Sequence, residues 1–197
     1  MSEPILMPFQ DKPFNGDTFI CNEFLNLKHK FNLKTAIETG SCVYSTTKWL
    51  GLNFKEVFTV EVNKDFAVWG RDKIEGMPHV GAFIQDSVDF LKALPPKENA
   101  IFFLDAHWGD FCPLLSELEV IAKYKNPVIA IHDFKVPNEP TLGYDNINGQ
   151  AFEFDWIKPS LEAIYGVDGY DYYYNSNEKS TEIKRGIIYI TPKTSIL

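Results

Sequence analysis

The chain has 197 residues, 45% of them apolar, which fits one domain with a sizeable core. Its formal net charge of −8 argues against broad binding to nucleic acid or to an anionic membrane. No apolar run nears membrane-spanning length, the first residues show no secretion leader, and Cys21, Cys42 and Cys112 have no metal or redox spacing, so a cytoplasmic protein with reduced thiols is expected.

Residues 1–16 are rich in Pro and Phe and read as an arm. From 17 to 31, Phe19, Ile20, Phe24, Leu25, Leu27 and Phe31 recur at helical spacing behind a cap at Asp17 or Thr18. Residues 1–33 are thus an arm and a helix, and 34–197 a single domain. Strand and helix patterns then alternate: strand 34–38, helix 43–52, strand 56–61, helix 64–73, strand 79–84, helix 87–94, strand 100–105, helix 113–124 and strand 128–132. Strands 100–105 and 128–132 are almost wholly apolar, as central strands of a parallel sheet are. Residues 134–152 hold Pro137, Pro140, Gly143 and Gly149 and read as a long lid loop. Its aromatics Tyr144 and Phe152, with Phe154 and Trp156 beyond, read first as a flap packed on the core. A helix at 155–165 precedes strands 170–175 and 185–191, which have no helix between them and should pair antiparallel. The expected fold is α/β: a Rossmann-like, doubly wound, seven-stranded sheet, mostly parallel, with an antiparallel C-terminal hairpin.

The chemistry gathers at strand ends, where open α/β sheets bind ligands. Ala36-Ile37-Glu38-Thr39-Gly40-Ser41 is an acidic turn in which glycine admits close backbone approach. Glu61 ends the next strand about twenty residues on, the spacing that puts a carboxylate on ribose hydroxyls. Asp105 and His107 follow the most apolar strand, and His132-Asp133 end its neighbour, with the two strand ends expected about 5 Å apart. Asp105 and Asp133 could share a hard cation, or Asp133 could orient His107. Asp86 reads as a helix cap or an adenine contact, and Asp110 as a helix start.

These segments, over residues 34–191, resemble the class I S-adenosylmethionine-dependent methyltransferases, most of all small-molecule O-methyltransferases of the macrocin type. Glu38-Thr39-Gly40-Ser41 looks like the first motif and Glu61 like the ribose-binding acid. Gln85-Asp86-Ser87 looks like the adenine-edge segment. Phe103–Trp108 and Ile131–Phe134 look like the ends of the fourth and fifth strands. The resemblance implies cofactor contacts by Glu38, Thr39, Gly40, Ser41, Glu61, Asp86, Ser87 and Asp105. It also implies a divalent cation such as Mg2+ on Asp105, His132 and Asp133, and a catalytic set of His107, Asp105 and Asp133. Tyr44 stands where the family often has a second glycine, so Ser45 and Thr46 are expected to serve the cofactor carboxylate instead. The expected activity is methyl transfer to a small-molecule acceptor, with a hydroxyl as the target and His107 as base. A non-catalytic cofactor-binding module and a nucleotide-dependent oxidoreductase are the alternatives. The second lacks the full Gly-x-Gly-x-x-Gly turn that cradles a pyrophosphate. No nucleic-acid or membrane partner is expected, and oligomeric state is not legible.

Overall fold

The computed structural model describes residues 11–180 and 183–193. Residues 1–10 of the expected arm lie outside that range. The remainder of the arm is a short turn at Pro13–Gly16, and it is part of the core. Phe14 is buried and packs its ring 4.8 Å from Phe24 and 5.1 Å from Phe103. Helix α1 (Thr18–Lys30) starts at Asp17, whose carboxylate accepts from the Phe19 and Ile20 amides and from the Ser180 hydroxyl.

The strands are β1 (Thr35–Thr39), β2 (Glu56–Glu61), β3 (Val80–Ile84), β4 (Ala100–Leu104) and β5 (Val128–His132). Between them run α2 (Ser45–Asn53), α3 (Lys64–Gly70), α4 (Ser87–Ala93) and α5 (Leu114–Ile121). Asn63 caps α3 and Asp86 caps α4, each accepting from two backbone amides of the first turn. Beyond β5 come the two-residue strands β6 (Asn146–Ile147) and β7 (Gln150–Ala151), then α6 (Phe154–Tyr165), β8 (Tyr170–Tyr174) and β9 (Ile187–Pro192). The main sheet has seven strands in the order β3-β2-β1-β4-β5-β9-β8, with β9 antiparallel to both β5 and β8. The expected fold is therefore the observed one.

Every residue of β1, β4 and β5 is buried, because helices cover both faces. One core layer joins Ile37, Phe102 and Ile129 to Phe90 of α4, Leu118 of α5 and Leu161 of α6. The other joins Ala36, Ile101 and Ala130 to Phe24 and Leu27 of α1 and Leu50 of α2. The order reverses between β1 and β4, the switch point at whose C-terminal rim open α/β sheets bind ligands.

The 134–152 segment is more ordered than a bare loop. It contains the β6–β7 hairpin, with Asn148 and Gly149 both at positive φ in its turn. Backbone hydrogen bonds tie it down: Gly143 to Lys184, Gly186 to Gly143, Asp145 to Asp133 and Lys135 to Phe152. Phe152 is buried in the core, as the flap reading expects.

Candidate active site at the C-terminal rim

The turn after β1 curls over the end of β2. The amides of Gly40 and Ser41 both donate to the Val60 carbonyl, at 3.0 and 3.2 Å. Gly40 has φ +77°, and a Cβ there would lie 2.3 Å from the Asp105 carbonyl oxygen. The glycine is thus required by the chain's own packing of the turn onto the end of β4. Tyr44, at φ 60°, starts α2 with its side chain turned inward and only 3% of the residue exposed.

Glu61 is fastened to this turn. Its Oε2 accepts from the Cys42 amide at 2.7 Å and its Oε1 from the Asn63 amide at 2.8 Å. Burial raises its pKa, and those same amides pull against the rise. Each oxygen keeps a further lone pair for a ligand. Glu38, on the same face of the sheet, accepts from the Thr47 and Thr59 hydroxyls; burial pushes its pKa up to about 7. Its observed partners are those two threonines.

The predicted cofactor hydroxyls divide into two groups. Ser45 accepts from Lys73 Nζ, and Thr46 accepts from the Phe14 amide. Thr39, Ser41 and Ser87 are buried with hydroxyls that have no hydrogen-bond partner, and Glu117 Oε1 of α5 shares that state. The Thr39 and Ser87 hydroxyls flank the Glu117 carboxyl without a bond of normal geometry. Burial pushes that carboxyl up to about 7 against their pull. An unpaired buried polar group costs about 1–3 kcal/mol, so the Thr39 and Ser87 hydroxyls and the Glu117 carboxyl gather as one buried polar cluster under the rim. Asp86 spends one oxygen capping α4. Glu117 was not foreseen, although it lies on the same helical stripe as Leu114, Leu118 and Ile121.

The ends of β4 and β5 carry the densest charge. His107 Nε2 lies 3.0 Å from Asp133 Oδ2, 3.1 Å from Asp145 Oδ2 and 4.0 Å from Asp105 Oδ1. Its ring packs edge-on to Phe152, and its side chain is 7% exposed. Burial alone would lower the His107 pKa, but Asp133 and Asp145 outweigh it and bring it up to about 9. His132 is buried, with Nδ1 3.2 Å from Asp105 Oδ1 and 3.3 Å from Asp133 Oδ1. The two aspartates hold it protonated well above the usual histidine range against the cost of burial. Asp133 sits at φ +56°, and the cations around it hold its pKa far below the ordinary value despite burial. Arg185, just before β9, gives Nε to Asp133 Oδ1 and Nη2 to Asp145 Oδ1. Asp145 and Arg185 carry no sequence signal of their own: 40 residues of chain separate them, and only the tertiary fold brings them together. Asp110 has no role in this network.

At the rim, Glu61 is a carboxylate tethered by the Cys42 and Asn63 amides, an acceptor that could serve the hydroxyls of an adenosine-type cofactor. For a divalent cation, one donor set converges among the described residues: Asp105, His107 and Asp133, with ligand atoms within 4.8 Å of one another. His132 stands beside it, bound to both acids. A cation there would compete with Arg185 and His132, which already engage Asp133 Oδ1, and with His132 at Asp105 Oδ1.

No protein-family profile matches the sequence, and neither does any curated protein. Solved structures do match. An O-methyltransferase of Bacillus cereus, solved in complex with SAH, superposes with a TM-score of 0.61 at 17% identity, over 97% of this chain and 84% of its own. The O-methyltransferase TomG of Streptomyces achromogenes, involved in tomaymycin synthesis and solved with SAM, gives 0.57 at 13% identity, over 98% and 82%. CalS10 of Micromonospora echinaspora, a SAM-bound amino pentose methyltransferase, gives 0.59 at 9% identity, over 90% and 91%. The chain has the class I methyltransferase fold, over almost its whole described length and with the strand order that its own hydrogen bonds define.

Proposed function

We propose that the chain is a methyltransferase that binds S-adenosylmethionine at the C-terminal rim and passes its methyl group to a hydroxyl of a small-molecule acceptor. The observation that carries this reading is Glu61, a buried carboxylate at the end of β2 held to the Gly40 turn by the Cys42 and Asn63 amides with acceptor capacity to spare. Glu61 would accept from ribose hydroxyls, and Ser87 with Asp86 would meet the adenine edge. The cofactor supplies a reactive sulfonium methyl. The chain's part is to hold the acceptor, exclude water and remove the hydroxyl proton. His107 is the candidate base, oriented by Asp133 and Asp145. It is held protonated in the ligand-free chain, and a base must be neutral. Like-charge repulsion beside a sulfonium would draw its pKa back toward the working range.

Calorimetric titration with S-adenosylhomocysteine, beside NAD, tests the cofactor. Binding in the micromolar range, about −8 kcal/mol, is expected for the first ligand alone. Glu61→Ala should weaken it by about 1.5–3 kcal/mol, the scale of hydrogen bonds to a charged group. Unchanged affinity in that variant would reject the ribose assignment. Binding of NAD in place of S-adenosylhomocysteine would reject the activity.

A further inference from the structure

We propose that Arg185 is the built-in cation of this site: by bridging Asp133 and Asp145 it fills the role of a divalent metal and keeps the cluster metal-free. The inference deepens the reading of the rim as an active site, but it stands on the charge arrangement alone. A guanidinium is permanently charged and donates in a fixed plane. Here it reaches two carboxylates on different elements, Asp133 at the end of β5 and Asp145 in the segment that follows. It thereby does what a bridging metal does, joining a strand-end acid to a loop acid.

The backbone is shaped to seat it. A Cβ on Gly143 would lie 2.9 Å from Arg185 Nη1 and 3.2 Å from its Cδ. A Cβ on Gly186, the residue after the arginine, would lie 1.9 Å from the Phe134 carbonyl oxygen. Gly143 and Gly186 hold each other through a 2.8 Å backbone bond, and Gly143 donates to the Lys184 carbonyl at 2.8 Å. The backbone at Gly143 thus lies against the guanidinium and its stem, and the Gly143–Gly186 bond fixes that approach.

Asp133 also has little left to offer a metal. Its Oδ1 faces Arg185 and His132 Nδ1, and its Oδ2 faces His107 Nε2. A cation held by Asp105, His107 and Asp133 would share Asp133 with the guanidinium, and in a half-buried site such like charges repel strongly. Hard cations favour oxygen shells completed by water, and of the converging set only the two carboxylates are of that kind, Asp133 already being engaged by the guanidinium.

The test is a Mn2+ titration of the full chain, followed by the electron paramagnetic resonance signal of the free ion and repeated by thermal unfolding with and without Mn2+. The wild-type protein should leave Mn2+ free and its unfolding midpoint unmoved. Arg185→Gln, with the repulsion gone and two carboxylates released, should bind Mn2+ at least about tenfold more tightly and be stabilised by it. Asp133→Asn added to that variant should abolish the gain, and Arg185→Lys, which keeps the charge, should behave as wild type. Micromolar Mn2+ binding by the wild type, lost in Asp105→Asn, would overturn the proposal even if Arg185→Gln failed to fold. An Arg185→Gln protein that binds no tighter than wild type would overturn it too. Neither outcome depends on S-adenosylhomocysteine binding, so the two readings fail separately.

Discussion

His107 meets three acids through one imidazole nitrogen, which faces Asp133 and Asp145 at hydrogen-bond distance and Asp105 a little further off. Its titration, followed by NMR of the ring proton, should have a midpoint near 9 in the ligand-free protein, and Asp145→Asn should bring it down. A midpoint at the ordinary 6.5 would show that the acids do not hold the ring. Because the folded pKa exceeds the unfolded one, the stability His107 contributes is fully present below about pH 6.5 and is lost as pH rises through about 9. Once an acceptor is known, His107→Ala should lower turnover by about 10²–10⁴-fold while leaving S-adenosylhomocysteine affinity nearly unchanged. Near-normal turnover would remove it from the base role.

At the scale of elements, the turn from β1 to α2 is the part least free to vary. Three of its residues, Gly40, Cys42 and Tyr44, take positive φ, and the turn is pinned to Val60 and to Glu61. Gly40→Ala adds a methyl against the Asp105 carbonyl as well as the left-handed penalty. It should cost about 2–4 kcal/mol in urea unfolding and separate the ends of β1 and β4. A loss under about 0.5 kcal/mol would mean that the turn relaxes, as surface positions do. The 134–152 segment carries a two-stranded hairpin of its own. Its backbone bonds to Asp133, Lys184 and Gly186 dock that separate hairpin beside the main sheet and bring Asp145 and Phe152 to His107.

At the scale of the whole molecule, two acids are buried on opposite faces of the sheet, Glu38 toward α2 and Glu117 on α5. Burial raises both to about 7, so the folded state holds protons that the unfolded chain releases near 4.5. The stability tied to them is present below about pH 4.5 and declines as pH rises through about 7, each group contributing up to about 1.4 kcal/mol per pH unit in that window. Urea unfolding at pH 5 and pH 7.5 should show the lower stability at the higher pH. Glu38→Gln with Glu117→Gln should flatten the difference. An equally steep dependence in the double variant would place the effect elsewhere.

How much of this was legible in the sequence follows from the range of the forces involved. Periodicity and caps act over a few residues, and they sufficed for the strands, the helices, the Asp17 and Asp86 caps and the antiparallel pairing at the C-terminus. The Gly40 turn, Glu61, Asp105, His107 and Asp133 were legible because parallel βα units put strand ends at one rim, so position along the chain predicts position in space. Side-chain partners were not legible. Ser45 and Thr46 read as ligand hydroxyls, yet Lys73 and the Phe14 amide engage them. Arg185 and Asp145 belong to no local pattern, and they meet Asp133 only because β9 inserts beside β5 and carries the arginine to the rim. The sequence by itself determined the fold and the rim where chemistry gathers, through local propensity and the rules of parallel sheets. Tertiary structure alone decided which charge answers which, because ion pairs are fixed by where distant segments pack.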